Sequence, residues 1–143
     1  MTVWTASKQV SEKHKQTASL ILSATGDVLR VDNEKYIDMA TAISGSGPAY
    51  FFYFMECLLE AAVALGLDRQ DARVLVCKTA LGSVNYAARS DSSLEELRAQ
   101  VTSPGGTTAA AIRVFDQDNF SCIVRQAAES AYNQARQMGG FSD

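Results

Sequence analysis

The residues with the clearest chemical potential form one short stretch, Val101 to Thr108, which reads VTSPGGTT. Ser103 and Thr107 carry hydroxyl groups, and Gly105-Gly106 allows a ligand to approach the backbone closely. Residues 107–112 predict the first turns of a helix, whose free N–H groups and positive dipole end favour an anion. Because Ser and Thr are also good helix caps, the stretch indicates either a capped tight turn or a loop that holds a small carboxylate.

A second stretch, residues 44–48, reads SGSGP and predicts a loop before another helix, with Pro48 in the first turn. Its glycines suit either a second anion-binding loop or close packing between helices. The stretch does not predict a dinucleotide site. Tyr50 stands where the pattern G-x-G-x-x-G has its third glycine, and no strand–helix–strand unit is predicted around it.

Other kinds of site find little support in the composition. Cys57, Cys77 and Cys122 are far apart without the spacing of metal ligands, and their apolar helical context predicts buried, reduced thiols in a cytoplasmic protein. His14, the only histidine, lies among charged residues and predicts a solvated side chain rather than a base. A net charge of −3 argues against binding to nucleic acid or to a membrane surface.

The elements that must position these residues are predicted to be helices. Periodicity and punctuation predict helices over residues 8–24, 34–40, 48–65, 69–88, 93–100, 107–115 and 120–138, with an extended stretch at 27–33. Asp68 is expected to cap one helix, and Ser93 with Glu96 resembles a capping box. With six or seven helices and no convincing sheet, the chain is predicted to be all-α, a multi-helix bundle in one domain over residues 1–143.

The apolar run from Pro48 to Leu67 is long enough to raise the question of a membrane span. Glu56 and Glu60 interrupt it, and no basic flank anchors it. We therefore expect a buried core or interface helix. Because a chain of this size encloses such a helix only with difficulty, a second copy is a natural cover, which predicts a homodimer with a large helical interface.

Two blocks about fifty residues apart carry a specific resemblance. Asp38 to Tyr50, DMATAISGSGPAY, and Val101 to Thr108 are similar to the two signature blocks of pyrroline-5-carboxylate reductase. The resemblance extends over essentially all 143 residues. It implies the all-helical C-terminal dimerisation domain of this family, which is like the C-terminal domain of 6-phosphogluconate dehydrogenase. Residues 1–7 would be the remnant of an interdomain linker.

The family resemblance also implies a function. These enzymes reduce 1-pyrroline-5-carboxylate to L-proline with NADPH or NADH, in dimers that many members assemble further. By resemblance, the substrate site comprises Val101, Ser103, Gly105, Gly106, Thr107 and Thr108. Thr108 would be the catalytic residue that hydrogen-bonds the ring nitrogen, and the carboxylate would lie on the backbone amides and hydroxyls.

The family's N-terminal Rossmann domain has no counterpart in this chain, so no cofactor is expected to bind here. The chain alone is therefore predicted to be inactive, as the dimerisation and substrate-binding domain of a reductase. Two alternatives stay open. One is a non-catalytic oligomerisation or regulatory module that keeps the fold, and the other is a small-carboxylate binder that reuses the loop.

Overall fold

The computed structural model of the protein describes residues 1–140 and is mostly helical. Its helices are α1 (Glu12–Ser23), α2 (Lys35–Ala40), α3 (Gly47–Ala64), α4 (Arg69–Arg89), α5 (Leu94–Gln100), α6 (Thr107–Gln117) and α7 (Phe120–Met138). The contacts divide the chain into two compact units. One comprises residues 1–48 with the described residues from Arg125 onward, and the other comprises residues 49–124.

A small sheet corrects the expectation that the chain contains none. Strands β1 (Thr2–Trp4) and β2 (Val28–Arg30) pair in parallel, with Thr2 opposite Val28 and Trp4 opposite Arg30. The extended stretch at 27–33 predicted β2. The partner strand lies 26 residues earlier by this pairing, and β1 is only three residues long, so local periodicity gives almost no signal for it.

Helix starts follow the side chains that cap them. Ser11 accepts a hydrogen bond from the His14 N–H at 3.4 Å, so α1 begins at Glu12 rather than at residue 8. Asp68 caps α4 by accepting bonds from Gln70 and Asp71. These caps satisfy N–H groups that have no partner within the helix. The exposed His14 agrees with its predicted place on the surface.

The unit of residues 49–124 has little buried apolar surface of its own. Ala72 and Val76 of α4 are its buried hydrophobic residues within the described chain. Phe54, Phe115 and Phe120 form an aromatic cluster with ring centroids 5.2 to 6.4 Å apart. Each ring nevertheless stays about two-fifths exposed. The cluster joins α3 to the end of α6 and the start of α7, so it fixes the helix that follows the VTSPGGTT stretch.

A bidentate ion pair also joins α3 to α4. The Arg69 guanidinium donates to both carboxylate oxygens of Glu60 at 2.8 Å. This hydrogen bonding lowers the pKa of Glu60 below its ordinary value. Between the two helices, Gly66 has a φ of 103°, which favours glycine and agrees with its predicted place after the helix end.

Candidate functional site

The candidate site begins where α5 ends. The Ser93 hydroxyl accepts a bond from the Glu96 N–H, and the Glu96 carboxylate accepts one from the Ser93 N–H, which confirms the predicted capping box. At the other end of α5, Thr102 donates its N–H to Ala99 and its hydroxyl to the Arg98 carbonyl at 2.6 Å. Both ends of α5 are therefore tied to its own backbone, and the chain leaves it in a defined direction.

A tight turn then runs from Ser103 to Gly106. The Gly106 N–H donates to the Ser103 carbonyl at 3.0 Å, which closes four residues into a β-turn. Pro104 holds the second position, and Gly105 holds the third with a φ of 73°. Proline followed by a left-handed glycine is the pattern of a type II turn. Gly105 is therefore required by the backbone conformation.

Gly106 has a different role, because a side chain there would force Ser103 to shift. A Cβ atom placed there would lie 2.5 Å from the Ser103 hydroxyl oxygen and 3.2 Å from the Ser103 carbonyl oxygen. The hydroxyl thus lies directly over the Gly106 backbone. This close approach needs glycine for space, while Gly105 next to it needs glycine for its φ angle.

The start of α6 is uncapped. Gly106 is the N-cap residue and no side chain bonds to the first turn, so the prediction of a Ser or Thr cap is wrong. The first backbone bond into the helix runs from the Ala110 N–H to the Gly106 carbonyl at 3.1 Å. Within residues 1–140, the N–H groups of residues 107, 108 and 109 have no hydrogen-bond partner. The helix therefore presents three donors and the positive end of its dipole.

The predicted site residues lie consecutively around these donors. Ser103, Gly105 and Thr107 are exposed, and Gly106 and Thr108 are half-buried. Val101, the C-cap residue of α5, is 66% exposed. No charged residue occurs from position 99 to 112. Within this stretch, the groups that can attract an anion are backbone amides, hydroxyl groups and the helix dipole.

The second stretch, residues 44–48, adopts a conformation that the sequence did not predict. Residues Thr41–Gly45 form a π-helical turn, closed by the bond from the Ser46 N–H to the Thr41 carbonyl at 2.8 Å. The expected loop is therefore helical, and α3 follows almost without interruption. Close packing does not explain the glycines within the described chain. A Cβ at Gly45 would meet only Thr41 at 3.6 Å, and one at Gly47 would meet nothing within 4 Å.

Two clefts in the unit of residues 1–48 and 125 onward were missed by sequence reasoning. One, of about 420 Å³, lies between Asn33–Asp38 and the α7 residues Tyr132 and Arg136. The other, of about 210 Å³, is lined by Lys8, Lys15 and Arg30 among others. Glu12 pairs with Lys15 at 2.7 Å and with Arg30 at 3.2 Å, and these hydrogen bonds lower its pKa. The linings combine distant segments, so no local motif marks either cleft.

The thiols differ from their prediction. Cys57 and Cys77 are exposed and Cys122 is half-buried, so burial is wrong for the first two. Within residues 1–140, His, Cys, Asp and Glu form no group of three or more that could hold a metal ion. In the same residues, no helix combines the length and the apolar character needed to cross a membrane.

Comparisons with known proteins give a consistent result. Residues 34–138 match the family model for pyrroline-5-carboxylate reductase dimerisation. The chain is 44% identical over 133 residues to a pyrroline-5-carboxylate reductase of Pseudomonas aeruginosa, covering 93% of this chain and 49% of that protein. It thus spans about half the length of this relative.

Two solved reductase structures also resemble nearly the whole of this chain, and the match covers about half of each of them. The chain resembles a pyrroline-5-carboxylate reductase from Coxiella burnetii with a TM-score of 0.88 and 40% identity, covering 94% of this chain and 50% of that one. A pyrroline carboxylate reductase from Plasmodium falciparum, solved with NADP bound, gives a TM-score of 0.85 and 35% identity over 96% of this chain and 52% of that one.

Proposed function

Because this chain belongs to the pyrroline-5-carboxylate reductase family through its dimerisation domain, we propose that it supplies the dimerisation and substrate-binding part of such a reductase. The reaction is the reduction of the C=N bond of 1-pyrroline-5-carboxylate to L-proline with NADPH or NADH. The observation that carries the proposal is the uncharged turn Ser103–Gly106, which leads into three backbone N–H groups without partners in the described chain.

On this proposal the substrate carboxylate lies against the start of α6. The free N–H groups of residues 107–109 donate to it, and the hydroxyls of Ser103 and Thr107 add further donors. Gly105 gives the turn its shape, and Gly106 leaves room for the Ser103 hydroxyl, which would contact the ligand. Val101, exposed at the edge of the stretch, would cover the ring.

Thr108 is proposed to contact the ring nitrogen. When the imine is protonated, its N–H can donate to the Thr108 hydroxyl oxygen, which holds the proton on the nitrogen while the carbon stays electrophilic. Positioning supplies much of such a reaction, because the electrophile is already activated and only has to be held in the correct orientation. This agrees with a site that carries no charged acid or base between residues 99 and 112.

The described residues do not fit a nicotinamide dinucleotide. Such a cofactor is held where a strand runs through a glycine-rich turn into a helix. No glycine occurs between β1 and α1 at residues 5–11, or between β2 and α2 at residues 31–34. We therefore propose that the hydride donor is held by polypeptide other than these residues. The chain by itself, mixed with NADPH and pyrroline-5-carboxylate, is expected to give no turnover.

The proposal includes a homodimer built on α3. Phe51, Phe52 and Tyr53 are 64%, 68% and 69% exposed in the single chain. Since successive residues of a helix point about 100° apart, these side chains cover more than half of the helix circumference. Burying each of them would contribute about 1.5–3 kcal/mol, which supports cover by a second copy. A cytoplasmic location remains part of this proposal.

The test of the substrate site uses L-proline as the probe. In a titration followed by NMR, we expect proline to shift the amide signals of residues 103–109 selectively. Thr108→Val removes the hydroxyl while keeping the shape, and it should weaken binding about fivefold, the cost of one hydrogen bond of about 1 kcal/mol. Thr108→Ser, which retains the hydroxyl, is the matched control.

Other outcomes favour the alternatives. If proline leaves residues 103–109 unchanged while the chain still self-associates, the chain is an oligomerisation module. If acetate and proline shift the same amides equally, the stretch is a general small-carboxylate site without ring recognition. If Thr108→Val and Thr108→Ser bind proline equally well, the role proposed for the Thr108 hydroxyl is wrong.

A further inference from the structure

The smaller of the two clefts lies outside the carboxyl ends of β1 and β2. Its lining residues come from α1, from the end of β2 and from the segments that follow the two strands: Ala6, Lys8, Lys15, Arg30, Val31 and Asp32. In open α/β sheets, ligands bind outside the carboxyl ends of the parallel strands. The cleft measures about 210 Å³, which is enough for a small ion with several waters.

The charge of the cleft favours an anion. Three of the residues that line it are cations, Lys8, Lys15 and Arg30, whereas Asp32 is the one carboxylate of the lining. The chain as a whole carries a net charge of −3, so this excess of positive charge is local. A concave surface with an excess of one sign of charge concentrates ions of the opposite sign.

Glu12 holds two of these cations in place. Its carboxylate accepts a hydrogen bond from Lys15 at 2.7 Å through Oε1 and one from Arg30 at 3.2 Å through Oε2. The Lys15 side chain is only 15% exposed in this arrangement. An ammonium group has three N–H donors and a guanidinium group has five. Each cation therefore has donors for a second anion in addition to the one that bonds to Glu12.

Lys8 and Asp32 differ from these residues, because neither forms an ion pair among residues 1–140. The Lys8 ammonium can bind an anion without giving up a partner. The Asp32 carboxylate repels an anion unless that anion has a proton to donate. Inorganic phosphate keeps at least one O–H at neutral pH, and a carboxylate oxygen accepts from such a group. Sulfate has no O–H, so a cleft with this carboxylate favours phosphate over sulfate.

We infer that this cleft binds inorganic phosphate, which Lys8, Lys15 and Arg30 hold and which Asp32 selects by accepting a hydrogen bond from the phosphate O–H. Bound phosphate connects the ends of both strands to α1. It thereby stabilises the β1–α1–β2 segment, since a ligand that binds only the folded state favours that state. The site is separate in sequence from the proposed substrate site at residues 103–109, and either one can fail without the other.

The experiment is an NMR titration of the full chain with sodium phosphate, sodium sulfate or methyl phosphate. Ionic strength is kept constant, so that screening does not change during the titration. We expect phosphate to shift the amide signals of residues 6, 8, 15 and 30–32 until they saturate. Sulfate should bind about tenfold more weakly, the effect of losing one hydrogen bond to a charged group. Methyl phosphate should also bind more weakly above pH 7, because a monoester with a second pKa of about 6 has mostly lost its O–H there.

Two substitutions test the cation and the carboxylate separately. Lys8→Gln removes a charge that has no ion-pair partner in the described chain, and it should weaken phosphate binding about tenfold. Lys13→Gln is the matched control, because Lys13 is exposed on α1 and does not line the cleft. It should change the affinity less than about twofold. Asp32→Asn keeps the shape but removes the repulsion, so sulfate should then bind as well as phosphate.

Separate results overturn this inference and the proposed function. Absence of saturating shifts at residues 6–32, equal binding of phosphate and sulfate by the wild type, or equal losses in Lys8→Gln and Lys13→Gln each overturns the phosphate site. Shifts confined to residues 103–109 would place the anion at the start of α6 and also overturn it. Methyl phosphate that binds as tightly as inorganic phosphate contradicts the role of Asp32. Phosphate binding in the cleft, without proline-induced shifts at residues 103–109, supports this inference and contradicts the proposed substrate site.

Discussion

At the scale of single residues, the candidate site would attract an anion without a cation. Residues 99–112 carry no charge, so the groups of this stretch that can bind an anion are the three N–H groups at the start of α6 and the nearby hydroxyls. A hydrogen bond to a charged group contributes about 1.5–3 kcal/mol. On the proposed function, two or three such bonds would hold the substrate carboxylate.

Gly106 offers the sharpest residue-level test of this site. In Gly106→Ala the new Cβ would lie 2.5 Å from the Ser103 hydroxyl oxygen and 3.2 Å from its carbonyl oxygen. The hydroxyl must rotate away and the turn must widen, which disturbs the donors at the start of α6. We expect proline affinity to fall about tenfold, which corresponds to one lost hydrogen bond to a carboxylate. Isothermal calorimetry measures this change.

Gly82→Ala is the matched control for this substitution. Gly82 lies inside α4, and a Cβ there would meet nothing within 4 Å in the described chain. The control adds the same methyl group within residues 49–124 without placing it against Ser103. Proline affinity should stay within twofold of the wild type. Equal losses in the two variants would contradict the proposed contact between ligand and turn.

These residues could be identified from the sequence because the pattern that marks them is local. A proline followed by two glycines constrains the backbone strongly, so a tight turn before a helix was predictable from residues 103–108 alone. The cap was not. Hydroxyl residues occupy both sides of Gly106, and only the path of the chain decides which residue becomes the N-cap. The turn closes on Ser103, so its hydroxyl lies over Gly106 and does not cap the helix.

At the scale of elements, the end of a helix was predicted correctly where a single side chain determines it. Asp68 and Ser93 start α4 and α5 as expected, because a short polar side chain bonds to the next N–H groups. The π-helical turn Thr41–Gly45 was missed, since one extra residue in a helical turn leaves no distinct pattern in sequence. The end of α6 at Gln117 was placed two residues early, because Asn119, at a φ of 54°, makes the break.

The ion pair between α3 and α4 predicts a pH dependence of stability. Hydrogen bonds from Arg69 lower the pKa of Glu60 in the folded state. Its contribution is therefore fully present above the ordinary pKa near 4.5 and is lost as pH falls through the lowered folded value. We expect Glu60→Gln to be less stable than wild type at pH 7. This difference in the free energy of unfolding should shrink below about pH 4.5.

Urea denaturation at several pH values measures this difference, and Glu56→Gln is the control. Glu56 lies on the same helix one turn earlier and forms no ion pair among residues 1–140. Its substitution removes the same charge without removing a partner. Added salt should reduce the effect of Glu60→Gln at pH 7, since the pair is solvent-exposed. The same pH profile for both variants would show that the ion pair contributes nothing to folding.

At the scale of the whole molecule, the exposed apolar side chains are the dominant feature. Ala42, Ala72 and Val76 are the buried hydrophobic residues of the described chain, whereas large apolar residues of α3 and α4 are mostly exposed. From the sequence, α3 was predicted to be apolar on nearly all sides and to be buried, either in the core or in an interface. The exposed thiols Cys57 and Cys77 follow from the same feature, because they lie on these two helices.

Phe52→Glu tests whether a second copy covers α3. Phe52 is 68% exposed in the single chain. A carboxylate there costs nothing in a monomer but would be a buried, unpaired charge in a helical interface, which typically costs several kcal/mol. Since every 1.4 kcal/mol changes a dissociation constant tenfold, we expect the variant to be monomeric at micromolar concentrations where the wild type is a dimer. Light scattering after size exclusion measures both masses.

Gln16→Glu provides the control for added charge, because Gln16 is exposed on α1 and lies outside the family match at residues 34–138. It should leave the dimer mass unchanged. A wild-type monomer, or a Phe52→Glu variant that dimerises as well as Gln16→Glu, would contradict the interface on α3. Retention of proline-induced shifts at residues 103–109 in monomeric Phe52→Glu would further show that one chain suffices to form the carboxylate site, whereas their loss would show that the site depends on the partner copy.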